Sequence, residues 1–134
     1  MASATSKIVS IDELPNVPVL DQPTLDQIKN IDDEELGLIR ELFGIFETDM
    51  PARLSALKIA IESNNMTKIR ELSHAMKGSC GTIGAMRLRA ISAMIENHTR
   101  ENQAEVATLD ELFNRLQNAF GEAHEALRKY IEGD

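Results

Sequence analysis

The chain has 134 residues, the size of one ordinary domain, and its hydrophobic content of 43% suffices for a core. Aromatics contribute only 4%, so that core has to be built from Leu, Ile, Met and Ala. A formal net charge of −8 argues against a role in binding nucleic acid or anionic membranes, and a single cysteine, Cys80, rules out an internal disulfide. No apolar run approaches the roughly 18–20 residues of a membrane span, and the N-terminal MASATSKIVSIDELP lacks the apolar stretch of a signal peptide, so a cytoplasmic protein is expected.

Residues 1–18 read as a tail in which Ser, Thr, Ala and two prolines mix with Ile8, Val9, Ile11 and Leu14. Its composition leaves both disorder and loose packing open, and the folded domain is placed at residues 19–132. After Pro23, Thr24 is expected to cap a short helix carrying Leu25, Ile28 and Ile31. Asp32 should cap a second helix whose early acids Asp33, Glu34 and Glu35 suit the positive end of a helix dipole. Its apolar stripe runs Leu36, Ile39, Phe43, Phe46, Met50, Leu54, Leu57, Ile61 in steps of three and four. That pattern predicts one long helix bent at Pro51, in preference to a break with Asp49 as a new cap. Ser63-Asn64-Asn65 ends it.

A third helix begins near Asn65 and buries Ile69, Leu72, Met76, Cys80 and Ile83, with Gly84 where a terminating glycine belongs. The fourth places Leu88, Ile91, Ile95 and His98 on one side and ends in the polar HTRENQ stretch. The fifth runs from about Glu105 with Val106, Leu109, Leu112, Phe113, Leu116, Phe120, Ala123, Leu127 and Ile131. No strand pattern occurs. The expected fold class is all-α: an antiparallel four-helix bundle with a short additional N-terminal helix laid across one end.

The informative segment is RELSHAMKGSCGTIGA, residues 70–85. Residues three and four apart are neighbours on a helix, so Arg70, His74, Lys77 and Gly78 share one face while Leu72 and Met76 point into the core. That face is expected to be exposed and locally basic. A neutral imidazole has a nucleophilic nitrogen at working pH, and a phosphoryl group attached to it needs cationic neighbours. Lys77 supplies a point charge one turn along, and Arg70 is a candidate auxiliary cation one turn back. Gly78 costs the helix about 1 kcal/mol relative to Ala, and opens space beside His74 for the group and for an approaching partner. A surface His beside a Lys is common on helices, however, and Gly78 and Gly81 could serve close packing. Spacing and charge alone therefore leave phosphoryl carriage the minority reading.

The run His74-Ala75-Met76-Lys77-Gly78-Ser79-Cys80, followed by Gly84-Ala85 and Leu88, resembles the signature of histidine-containing phosphotransfer (HPt) domains, close to A-H-x-L-K-G-S-x-x-x-x-G-A-x-x-L. Ser73 and Met76 stand where the pattern has a small apolar residue and Leu. The resemblance extends over residues 18–131: PVLD at 18–21 looks like a domain start, FETDMPARLSAL at 46–57 like the preceding helix, and Met94-Ile95-Glu96 like the end of the following one.

The resemblance implies a four-helix bundle with His74 as surface phospho-acceptor, Lys77 stabilising phosphate charge and Gly78 giving access. It implies a phosphorelay intermediate that takes the group from a receiver-domain aspartate, typically of a hybrid sensor kinase, and passes it to a response-regulator aspartate. No cofactor of its own is expected, and Mg2+ is expected in the partner receiver domain. The absence of a P-loop or Gly-rich phosphate loop agrees. A monomer is expected.

His98 and His124 lack ligand spacing with His74 or Cys80, so no metal site is expected. Cys80 reads as core, and the methionines as core filler, with Met66 a candidate for the partner surface. Arg53 and Lys58, on the second helix, are candidate rim contacts. Two other readings compete. A non-catalytic helical adaptor would bind receiver domains or other partners without phosphotransfer. The dimerisation region of a sensor kinase usually has an acid directly after its His, where this chain has Ala75.

Overall fold

The structure, a computed structural model, describes residues 11–31, 36–100 and 106–133, and all regular elements among them are helical. They are α1 (Gln22–Ile31), α2 (Gly37–Glu62), α3 (Met66–Thr82), α4 (Met86–Arg100) and α5 (Val106–Glu132), preceded by a 3-10 helix at Ile11–Asn16. The fold is an all-α bundle. The four long helices pack in a closed ring, α2 on α3, α3 on α4, α4 on α5 and α5 back on α2.

The directions follow from residue pairs across the seams. Arg53 of α2 reaches Ala75 and Ser79 of α3, just beyond a turn at residues 63–65. Phe46 of α2 lies against Phe120 of α5 and Glu47 against His124, while the groove at the other end of the same seam brings Lys58 and Ile61 to Asp110 and Phe113. As the number rises on one helix it falls on the other, so these neighbours are antiparallel.

Turn chemistry fixes the corner between α2 and α3. The amide of Asn65 donates to Ala60 O and that of Asn64 to Ile61 O, with Asn64 at φ 56°. This is a Schellman ending with Asn in place of the usual Gly. Asn65 then caps α3, its Oδ1 accepting from the Lys68 amide at 3.1 Å. The α3–α4 corner repeats the motif: Ala85 N donates to Cys80 O and Gly84 N to Gly81 O, with Gly84 at φ 76°.

The core is aliphatic. Ile39, Phe46, Met50, Leu54, Leu57 and Ile61 of α2 are buried, and Leu36 and Phe43 are half-buried at the start of the same stripe. Alpha-2 continues unbroken through an exposed Pro51, so the alternative cap at Asp49 is not used. On α3, Ile69, Met76 and Cys80 are buried, as is Ile83 just past its end, but Leu72 is only half-buried. Met66, a candidate for an exposed partner contact, is half-buried against the core.

Two details of the N-terminal region differ from expectation, and a third decides what the sequence left open. The cap of α1 is Asp21, whose Oδ2 accepts from both the amide and the hydroxyl of Thr24. The helix therefore starts at Gln22, and Pro23 sits in its first turn, where the missing N–H costs nothing. Ile31 is 77% exposed, not part of the buried stripe. Two successive steps of three carry it about 120° round the helix from Leu25. Third, residues 11–18 lie against the bundle: Leu14 is buried, and the Arg87 guanidinium donates to Val17 O at 2.9 Å and Pro15 O at 3.2 Å. Residues 1–10, the proposed cap at Asp32 with its acids 33–35, and the start of the fifth helix at Glu105 lie outside the described residues.

Candidate functional site

Alpha-3 and α4 form the most extensive helix pair among the described residues. Ser73 and Ser92 are fully buried, and each folds its hydroxyl back onto the carbonyl four residues earlier, to Ile69 O at 2.8 Å and Leu88 O at 3.0 Å. Both therefore satisfy their polar groups while adding little bulk to their helices, which is the role the small residue at position 73 plays.

One turn beyond Ser92, Glu96 lies 3% exposed beneath His74. Its Oε2 is 2.7 Å from His74 Nδ1 and 3.0 Å from an Arg100 guanidinium nitrogen. Its Oε1 is 2.7 Å from Lys77 Nζ. Three cationic or potentially cationic side chains thus converge on one carboxylate. Burial alone would raise the Glu96 pKa, but hydrogen bonds and charge from Lys77 and His74 outweigh it, so the carboxyl is held below its ordinary value. The carboxylate is the missing half of the expected basic face: Lys77 is 29% exposed and ion-paired with it.

His74 itself is 67% exposed. A carboxylate accepts hydrogen bonds only, so the Nδ1 contact assigns the ring proton to Nδ1 in the neutral tautomer. Nε2 then carries the lone pair and is the ring nitrogen left for chemistry. Gly78, one turn along, faces open space: a Cβ built there meets nothing within 4 Å. Arg70 is half-buried one turn back, and its side chain makes no hydrogen bond or ion pair among the described residues.

On the α2 side, Arg53 donates to Ser79 Oγ at 2.7 Å and to Ala75 O at 3.5 Å, which brings it to the rim of the His74 surface. Lys58 lines a groove between α2 and α5 with Asp110 and Asn114. His124 pairs with Glu47 at 2.7 Å, and half-buried His98 lies on α4 apart from His74. Cys80 is buried, with its thiol pushed up to about 12 by desolvation, so it remains a neutral core group.

Glu96 is the residue that the motif-based reading missed as a site member. Its signal lay in the fourth helix, where Ser92, Glu96 and Thr99 make a polar stripe at helical spacing next to the apolar one; all three are buried. A polar stripe of that kind has to meet polar partners on the facing helix.

The geometry agrees with what comparison with known proteins gives. A family model described as Hpt domain matches residues 41–128. In three dimensions the chain is similar to histidine-containing phosphotransfer protein B from Pseudomonas aeruginosa PAO1, known from a crystal structure. The TM-score is 0.77 at 20% sequence identity, over 87% of this chain and 97% of that one, a likeness that bears on the fold. Comparison with curated proteins finds no match.

Proposed function

As this chain belongs to the Hpt domain family, whose model spans residues 41–128, we propose that it is a phosphorelay intermediate. His74 accepts a phosphoryl group from a receiver-domain aspartate, typically of a hybrid sensor kinase, and passes it to a response-regulator aspartate. The observation that carries this reading is the Nδ1–Glu96 bond at 2.7 Å on a ring that is otherwise exposed.

The chemistry follows from that bond. Nε2 attacks phosphorus, the N–P bond forms, and the P–O bond to the partner's aspartate breaks with its electron pair leaving on the carboxylate oxygen. Nδ1 keeps its proton, so the ring becomes cationic as the N–P bond forms. The Glu96 carboxylate opposes that charge and fixes the ring plane. Lys77, one turn away, offers its ammonium to the phosphoryl oxygens, and Arg70 adds positive potential from the turn before. Gly78 leaves room for the in-line approach of the partner. Mg2+ held by the partner receiver domain would offset charge on the phosphoryl group; this chain needs no cofactor for its own part. One copy carries the whole constellation, so a monomer suffices, and the relay is placed in the cytoplasm as part of the same proposal.

The test is incubation with a phosphorylated receiver domain. The wild type should acquire an acid-labile, base-stable label, and His74→Gln should acquire none. Label on His98 or His124 would relocate the site. A receiver domain that binds the wild type but never labels it would return the chain to the role of a non-catalytic adaptor.

A further inference from the structure

A groove of about 440 Å³ opens between α3 and α4 beside Gly78, lined by Lys77, Gly78, Gly81, Thr82, Met86 and Arg89. Two of these residues are cations. Lys77 is ion-paired with Glu96, whereas Arg89 is exposed and makes no ion pair among the described residues. Its side chain lies over the bare backbone of Gly81: a Cβ there would stand 3.2 Å from Arg89 Nε and 3.3 Å from Arg89 Cδ. Gly81 thus gives the guanidinium stem a seat in the groove that a larger residue would occupy.

We propose that Arg89 is a specificity-determining docking residue that receives an acidic side chain of the receiver domain, flanking the aspartate that exchanges its phosphoryl group with His74. The proposal rests on the carrier reading for its partner class but concerns a different contact. Gly81 is two helical turns from His74, roughly 10 Å along the axis, so Arg89 meets the rim of a docked partner and not the transferred group. Charge complementarity selects the occupant. On a chain of formal charge −8, an unpaired guanidinium in a groove beside the site is a local attraction for a carboxylate. Its planar fork matches that group in two parallel hydrogen bonds.

The experiment uses the full chain and the receiver domain of its source organism that binds it most tightly in a binding screen, so that no transfer activity is presupposed. Affinity is measured by fluorescence titration at low and high salt, and phosphotransfer separately at saturating receiver. Arg89→Glu should weaken binding on the order of tenfold at low salt, and Arg89→Ala about three- to fivefold, as for a rim ion pair. The salt dependence should flatten in both, and Arg89→Lys should recover part of the loss. The transfer rate at saturation should stay unchanged. Unaltered affinity in Arg89→Glu overturns the proposal, as does a slower saturated rate with affinity intact. So does a screen in which no receiver binds. Tight, Arg89-dependent binding without any labelling of His74 would leave this contact standing and refute the carrier reading instead.

Discussion

Glu96 Oε2 lies 2.7 Å from His74 Nδ1 and ties a side chain that is 3% exposed to one that is 67% exposed. The bond makes the His74 ring an extension of the buried α3–α4 seam instead of a loose surface group. Glu96→Ala removes the acceptor and leaves Lys77 and Arg100 without their anion. It should lower stability by about 1.5–3 kcal/mol, the range for hydrogen bonds to charged groups. Transfer by His74 should slow even at saturating partner. Glu96→Gln keeps an acceptor for Nδ1 and should recover part of the rate but not the charge. Equal rates for Ala and Gln would show that the hydrogen bond does not orient the ring.

The same carboxylate sets a pH dependence. Its pKa is lowered in the folded state from the ordinary value of 4.5. A depressed carboxyl pKa means that the folded state holds fewer protons, so its contribution is complete above 4.5 and is lost as pH falls through the lower folded value. In urea titrations the Glu96 carboxylate's share of the stability gap between wild type and Glu96→Gln should be complete above pH 4.5 and should narrow as pH falls below it. A gap that widens on acidification would contradict the ion-pair geometry.

Lys77 would cost only about 0.5 kcal/mol on removal if it were an ordinary solvated surface lysine. The structure instead pairs it with Glu96 Oε1 at 2.7 Å. Lys77→Ala should therefore cost more, about 1–2 kcal/mol, because a buried carboxylate loses a partner. A double-mutant cycle with Glu96→Gln should show clear coupling, the second loss being smaller once the first is made. Additive effects would mean that the pair is not formed in solution.

How far the sequence could be read divides along physical lines. The long stripes of α2 and α5 were legible because a buried face repeats over many turns, and Asn65 and Gly84 because turn chemistry is local. His74, Lys77 and Gly78 lie within one helix, where spacing alone gives adjacency. Glu96 lies 22 positions from His74, and only the packing of α4 on α3 brings them together. Alpha-1 was misread by one turn because Asp21 and Thr24 are both good caps, and the choice between them is made by tertiary contact. The Asp21 amide donates to Gly84 O at 2.7 Å, which pins residue 21 to the α3–α4 corner.

That corner yields a further prediction. Gly84 has φ 76°, and a Cβ there would stand 3.3 Å from Asp21 O and from Thr24 Cβ. Gly84→Ala meets both left-handed strain and a crowded backbone oxygen, so it should destabilise by about 1–3 kcal/mol. Hydrogen exchange should quicken at Asp21 and Met86, whose amides bond across the corner to Gly84 O and Val19 O. Unchanged exchange at both amides would show that the segment at residues 19–21 is not held there.

Gly78, within α3, is the opposite case. It has helical φ, and a Cβ would meet nothing within 4 Å. Gly78→Ala should therefore stabilise α3 by up to about 1 kcal/mol through helix propensity and reduced freedom of the unfolded chain. Carrying a residue that weakens the helix without aiding its packing makes sense if the space above it is used by a partner. Gly78→Glu separates the two roles. The side chain projects into solvent, so the circular dichroism should remain helical and the melting temperature should change little. It adds bulk and negative charge one turn from Nε2, where the proposed transfer would bring the phosphoryl group and the receiver together. Transfer should fall by at least tenfold, a loss of about 1.4 kcal/mol in transition-state stabilisation. Part of that loss should persist at high salt, since bulk, unlike charge, is not screened. Unfolding of Gly78→Glu would make position 78 a packing site, in conflict with the open space found there. Transfer at the wild-type rate would mean that the receiver approaches His74 from another side.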